Sequence, residues 1–173
     1  MKKCTLFVLA LLFATTAFAQ LQKGTVLLGG TVGFNNYSEE GDGFTVINLS
    51  PTAAYFTSNR LAVGGRVNVA ITTGDGLNQT VIGVAPLIRY YFNGSGNTRY
   101  FGQGSLGFQN QQVDGFGTSF WELGLGVGVD FFVNDRVAIE GVLGYSRTQG
   151  FEEFDGGFNT LGLNFGVVAF IGK

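Results

Sequence analysis

The chain contains no histidine, one cysteine, two prolines and one tryptophan. Only 13% of its 173 residues are charged. Each shortage closes a class of function. Without histidine, the usual general base near neutral pH is missing, and so is every Ser–His–acid constellation. The one cysteine, Cys4, lies in the opening stretch MKKCTLFVLALLFATTAFAQ. Lys2 and Lys3 make a basic start, Thr5 to Phe18 is uncharged and mostly apolar, and Ala17-Phe18-Ala19 is a small-x-small site. The pattern predicts a secretory signal peptide over 1–19 and a mature chain from Gln20. Cys4 leaves with that signal, so no disulfide, thiol chemistry or cysteine metal site is expected. Losing Lys2 and Lys3 leaves eight basic against twelve acidic residues, which is not the balance of a nucleic-acid binder. Beyond the signal, no apolar run is long enough for a membrane-crossing helix.

What the chain has in quantity is glycine, 29 residues, and phenylalanine, 18. Their placement is periodic. From Trp121 to Phe131, Trp121, Leu123, Leu125, Val127, Val129 and Phe131 alternate with Glu122, Gly124, Gly126, Gly128 and Asp130. Successive side chains of a strand point to opposite faces, so one face is apolar and the other small and polar. The same alternation runs through 137–146, 61–71, 159–171 and 80–92. Further strands are expected over 23–35, 44–57 and 99–110. Eight strands of about ten residues suit a tilted crossing of a bilayer. Periodicity alone leaves two readings open, a soluble sandwich with an apolar core and a membrane barrel with an apolar outside.

The connections favour the barrel. NNYSEEGDG, GDGLN, QQVDGFGTS and QGFEEFDGG alternate with SNR, NGSGNT and NDR. Longer acidic loops on one side and short turns on the other are the outer-membrane arrangement, and an even strand number puts both termini at the short-turn side. Tyr55, Phe56, Tyr90, Tyr91, Phe92, Tyr100, Phe101, Phe131, Phe132 and Phe170 fall near the short-turn ends. Phe34, Phe44, Phe108, Phe120, Trp121 and Tyr145 fall near the other ends. Two aromatic bands are expected at the two membrane interfaces. Five charges inside the strands, Arg66, Arg89, Glu122, Asp130 and Glu140, all share the phase of the small, polar face. Pro51, inside a strand, implies a bulge or a ladder position that needs no N–H.

Several stretches resemble the outer membrane protein beta-barrel family of Bacteroidetes-type bacteria, itself similar to the small OmpA/OmpX-type barrels. They are LSPTAAYFTSNRLAVGG (49–65), APLIRYYF (85–92) with YFGQGSLGF (100–108), and GVGVDFFVNDRVAIEGVLGY (126–145). The resemblance covers nearly all of 23–173. It implies an all-β, eight-stranded antiparallel transmembrane barrel over 20–173, with periplasmic termini, in the outer membrane of a Gram-negative envelope. Its implied partners are outer-membrane lipid, lipopolysaccharide and the barrel-assembly machinery. Such barrels usually end on an aromatic residue, whereas this chain ends Phe170-Ile171-Gly172-Lys173.

Candidate functional residues divide into two groups. Arg66, Arg89, Asp130 and Glu140 are expected at similar height in the periplasmic half of the lumen. They would form a structural ion network there, with Glu122 nearer the loop end and without a named partner. Eight of the twelve acids lie in the outer loops: Glu39, Glu40, Asp42, Asp75, Asp114, Glu152, Glu153 and Asp155. These are solvated charge, or a surface for divalent cations bridging lipopolysaccharide phosphates or for a cationic partner. Tyr37, Phe116, Phe151 and Phe154 add loop aromatics, expected to pack at the membrane interface rather than to form a binding patch. No cofactor, dedicated metal site or catalytic group is expected. The histidine-dependent lipid A acylases and deacylases of other small barrels cannot be assembled here. The expected role is structural or interactive, in envelope integrity or adhesion through the loops, with an unknown surface ligand. The alternatives are a narrow porin-like pore for small solutes or ions, and a soluble periplasmic ligand-binding barrel.

Overall fold

A computed structural model describes residues 21–172 apart from 40, 41, 75, 76, 93–95, 114, 115 and 152–156. For 34–39, 42–44, 74, 77, 78, 113 and 116 it describes the backbone alone. Eight antiparallel strands follow one another around a closed barrel. They are β1 (Val26–Glu39), β2 (Asp42–Phe56), β3 (Leu61–Gly74), β4 (Leu77–Tyr91), β5 (Thr98–Val113), β6 (Phe116–Phe132), β7 (Val137–Gly150) and β8 (Phe158–Ile171). Closure satisfies the strand edges that an open sheet would present to lipid. The β1–β8 seam is the shortest ladder, pairing Val26–Val32 with Phe165–Ile171.

The outer wall is apolar because each strand keeps strict period two. Along β6, Leu123, Leu125, Val127 and Phe131 face out, whereas Glu122, Gly124 and Asp130 are buried inside. Leu125 is 62% exposed and Leu161 is 72% exposed on the bare protein. Side chains this size are left outside only where lipid receives them. A soluble sandwich would bury this face, so that alternative is excluded.

The strands are longer than expected. β1, β2, β5 and β6 run almost to the hairpin tips, leaving 40–41 and 114–115 between them. Much of 35–43, 74–78 and 111–119, expected as loop, is therefore strand. A ladder bonds backbone to backbone and accepts polar side chains at either phase. Asn, Gln and Thr then continue a ladder without apolar alternation, and polar text looks like loop. The end with both described termini carries the turns 57–60, 92–97 and 133–136.

Pro51 and Pro86 both face outward. The β2–β3 pairing skips from Leu49↔Val69 to Thr52↔Arg66, and β4–β5 skips from Val84↔Phe108 to Leu87↔Ser105. The register is the same on both sides of each gap. Each proline thus removes a ladder hydrogen bond without a bulge, the second of the two readings for Pro51.

Leu125→Arg, at mid-depth on the outer wall, is expected to lower barrel stability by about 2–4 kcal/mol. The same substitution at Ser146, which lines the lumen, should cost much less. Urea unfolding in lipid vesicles measures both, and equal costs would contradict the assigned facing.

Candidate functional site: the lumen

Four sequence doublets decide the shape of the lumen: Tyr55-Phe56, Tyr90-Tyr91, Tyr100-Phe101 and Phe131-Phe132. Adjacent strand residues face opposite sides, so each doublet must split. Tyr55, Tyr90, Tyr100 and Phe131 go outward with Phe92 and form the interfacial girdle. Phe56, Tyr91, Phe101 and Phe132 go inward with Phe170 and are buried. The ten aromatics expected as one lipid-facing band are therefore two structures, an outer girdle and an inner cluster, here termed the stopper for its place across the turn end of the lumen. Phe170 sits among the inward rings, with centroids 5.0 Å from Phe132, 6.2 Å from Phe56 and 6.4 Å from Tyr91. Tyr91 lies 5.6 Å from Phe56 and 5.4 Å from Phe101. Ala54, Ala62 and Ala138, buried with them, leave room for the rings.

An ion cluster lies on this stopper. Arg89 is 2% exposed and pairs with Glu140, also 2% exposed. Its Nε and Nη2 donate to Gln103 Oε1 at 3.1 and 2.8 Å. Its Nη1 donates to the Tyr91 hydroxyl at 3.3 Å, which donates to Asp130 Oδ2 at 2.8 Å. The guanidinium carbon lies 3.9 Å from the Phe101 ring centroid, a cation–π contact. Asp130 and Glu140 are cross-strand neighbours; Glu140 meets the guanidinium directly, and Asp130 is reached through the Tyr91 hydroxyl. Asp130 is fully buried and its Oδ1 has no partner.

The alternating glycines of β6 make this packing possible. A Cβ on Gly128 would strike the Phe101 ring and the Gly141 carbonyl. One on Gly126 would lie 3.3 Å from Gln103 Cγ, and one on Gly124 would overlap Ser105 Oγ. The small face of β6 is the space occupied by its neighbours' long side chains.

Of the four residues expected in one network, the structure brings together Arg89, Asp130 and Glu140, and places Arg66 elsewhere. Arg66 Nη2 bonds Glu122 Oε1 and Ser105 Oγ, both at 3.1 Å, and Gln109 Nε2 donates to Glu122 Oε2 at 2.6 Å. Arg66 stands six residues beyond Arg60 and its turn, whereas Arg89 stands three before Phe92. At about 3.3 Å per residue that difference lifts Arg66 toward Glu122. Tyr91, Gln103, Ser105 and Gln109 were not expected as partners; their inward phase beside a charged residue was the available signal.

Above the stopper the lumen encloses a cavity of about 400 Å³. Its walls run from Arg89 and Glu140 to Thr72, Gln79, Thr148 and Phe158, toward the loop end. Glu40, Asp75, Asp114, Glu152, Glu153, Asp155 and Phe154 lie outside the described residues. Glu39, Asp42, Tyr37 and Phe116 are described as backbone only, near the tips of their strands. Phe151 stacks on outward-facing Phe108, centroids 6.2 Å apart, on the barrel's outer face. Phe120, expected in the outer aromatic band, takes the inward phase of β6, while Trp121 takes the outward one. Among the described residues no cluster of acidic side chains is arranged to hold a metal ion.

A closed antiparallel barrel with an apolar wall, a girdled lower rim and Arg66, Arg89, Glu122, Asp130 and Glu140 turned inward is a transmembrane barrel of the outer-membrane type. The chain belongs to the outer membrane protein beta-barrel domain family, whose model matches residues 5–169. It is an outer-membrane protein. Solved outer-membrane barrels share its fold, three of them as follows. Neisserial surface protein A is 15% identical, with a TM-score of 0.65 over 85% of this chain and 97% of that one. OprG from Pseudomonas aeruginosa is 12% identical, with a TM-score of 0.59 over 91% and 100%. The N-terminal barrel domain of Pseudomonas aeruginosa OprF is 13% identical, with a TM-score of 0.52 over 86% and 98%. No relative among the curated proteins matches the sequence.

Glu140→Gln strips Arg89 of its buried carboxylate and is expected to cost about 3–5 kcal/mol of unfolding free energy. Glu122→Gln acts on a pair that is 20% and 11% exposed to the lumen, and should cost about 1 kcal/mol. The reverse order in urea titrations would contradict the assignment of Arg89 as the buried clamp.

Proposed function

We propose that this protein is a plugged surface barrel: a stable outer-membrane anchor whose lumen does not conduct. Its task is structural or interactive, in envelope integrity or adhesion at the loop end. The observation that carries this reading is the Arg89–Glu140 clamp seated on five inward rings, which together occupy the lumen at the turn end. A wet path through that end would have to part a buried ion pair and a packed aromatic cluster, both costly. The acids Glu39, Glu40, Asp42, Glu152, Glu153 and Asp155 are the surface candidates. They would meet lipopolysaccharide through bridging divalent cations, or a cationic surface ligand.

The cavity above the clamp favours a second reading, a narrow passive pore for small solutes or ions. Planar-bilayer recording of the refolded protein separates the two. With insertion verified by protease protection, a silent membrane is expected. Stable, repeatable unitary openings would put the pore reading in its place.

A further inference from the structure

The cavity above the clamp has features that packing does not require. Gly126, Gly144 and Gly162 form a row across β6, β7 and β8 on the inner wall. Gly126 makes room for Gln103, but a Cβ on Gly144 or Gly162 would meet nothing closer than 4.0 or 3.9 Å. These two glycines leave empty space rather than space for a neighbour. Arg66 borders the same volume. Its Nη2 is committed to Ser105 and Glu122, while its Nε is buried without an acceptor.

The charges bordering the cavity decide what class of molecule fits. Among the described residues they are Arg66, Arg89, Glu122 and Glu140, two of each sign, already paired with one another. Asp130 lies beneath them, sealed from the cavity. An anion or a cation would have to compete with a made ion pair. The remaining polar wall offers amides and hydroxyls, among them Asn48, Asn68, Gln103, Ser105, Thr160 and Asn164. Such groups both donate and accept, as hydroxyl-bearing molecules do. A volume of about 400 Å³ lies within the ordinary range for small-molecule sites.

We propose that the upper lumen is a one-ended cup that binds a small, neutral, hydroxyl-rich molecule of one or two sugar rings. Its hydroxyls meet the amides and hydroxyls of Asn48, Asn68, Thr160 and Asn164, and its body lies against the bare wall at Gly144 and Gly162. This goes beyond the plugged-barrel reading and stands or falls separately, because bilayer recording reports on the stopper and ligand titration on the cup.

The test is isothermal titration of the refolded barrel in a sugar-free zwitterionic detergent. The probes are glucose and sucrose, with gluconate and glucosamine as charged counterparts. Saturable one-to-one binding of a neutral probe is expected, with the charged probes about tenfold weaker. Gly144→Leu fills the cup and should abolish binding without lowering the unfolding midpoint. Gly162→Leu serves if that variant does not fold. Flat titrations for all four probes would overturn the proposal, leaving a cup that holds water only. Binding that survives a folded filling variant, or that favours a charged probe, would overturn it as well.

Discussion

The guanidinium of Arg89 ties the turn end of the lumen together. It faces Glu140, shares Gln103, hydrogen-bonds Tyr91 and lies over Phe101. These partners come from β4, β5 and β7, and Tyr91 extends the chain to Asp130 on β6. One planar group with five donors therefore ties half of the strands across the lumen rather than along the wall. Its desolvation is tolerable only because partners meet it on its edges and one ring meets its face. Below it, Tyr91 and Phe101 belong both to the cluster and to the aromatic stopper, so the polar and apolar parts share side chains. The glycine at 128 follows from the same contact, since Phe101 can lie under Arg89 only if β6 presents no Cβ there.

The facing of the strands was legible from the residues. The alternation of Trp121–Phe131 assigns inside and outside correctly, and all five mid-strand charges turn inward as their phase predicts. That step needs only period two. The split of the aromatic doublets follows from the same rule, yet counting rings by their distance from a turn conceals it. Tyr55 and Phe56 lie at one height but on opposite sides of the wall. Height, rather than facing, is what the residues convey poorly. Arg66 stands far enough past its turn to leave Arg89 and join Glu122, and Glu122 had no visible partner until β3 and β6 were placed across the lumen. The polar segments 35–43 and 111–119 show a related ambiguity. A ladder in water tolerates the same residues as a loop, so composition could not distinguish them.

The two sides of the wall follow different physics. Outside, side chains are large, apolar and interchangeable, and Pro51 and Pro86 each remove a ladder hydrogen bond there without shifting the register. Inside, almost every position is specified by a neighbour: Gly124 by Ser105, Gly126 by Gln103, Gly128 by Phe101. Gly144 and Gly162 are the exceptions, and they border the cavity above Arg89. The molecule is thus asymmetric along its axis, filled and tied at the turn end and hollow toward the loop end.

That asymmetry is best tested by accessibility. Ser105 lines the cavity above Arg89. With Cys4 replaced by Ser, a Ser105→Cys barrel is inserted in one orientation in vesicles, and a membrane-impermeant thiol reagent is added to one side at a time. The account predicts labelling from the loop side and none from the turn side. Equal labelling from both sides would contradict it, because a reagent could then pass the Arg89 cluster and the five rings beneath it.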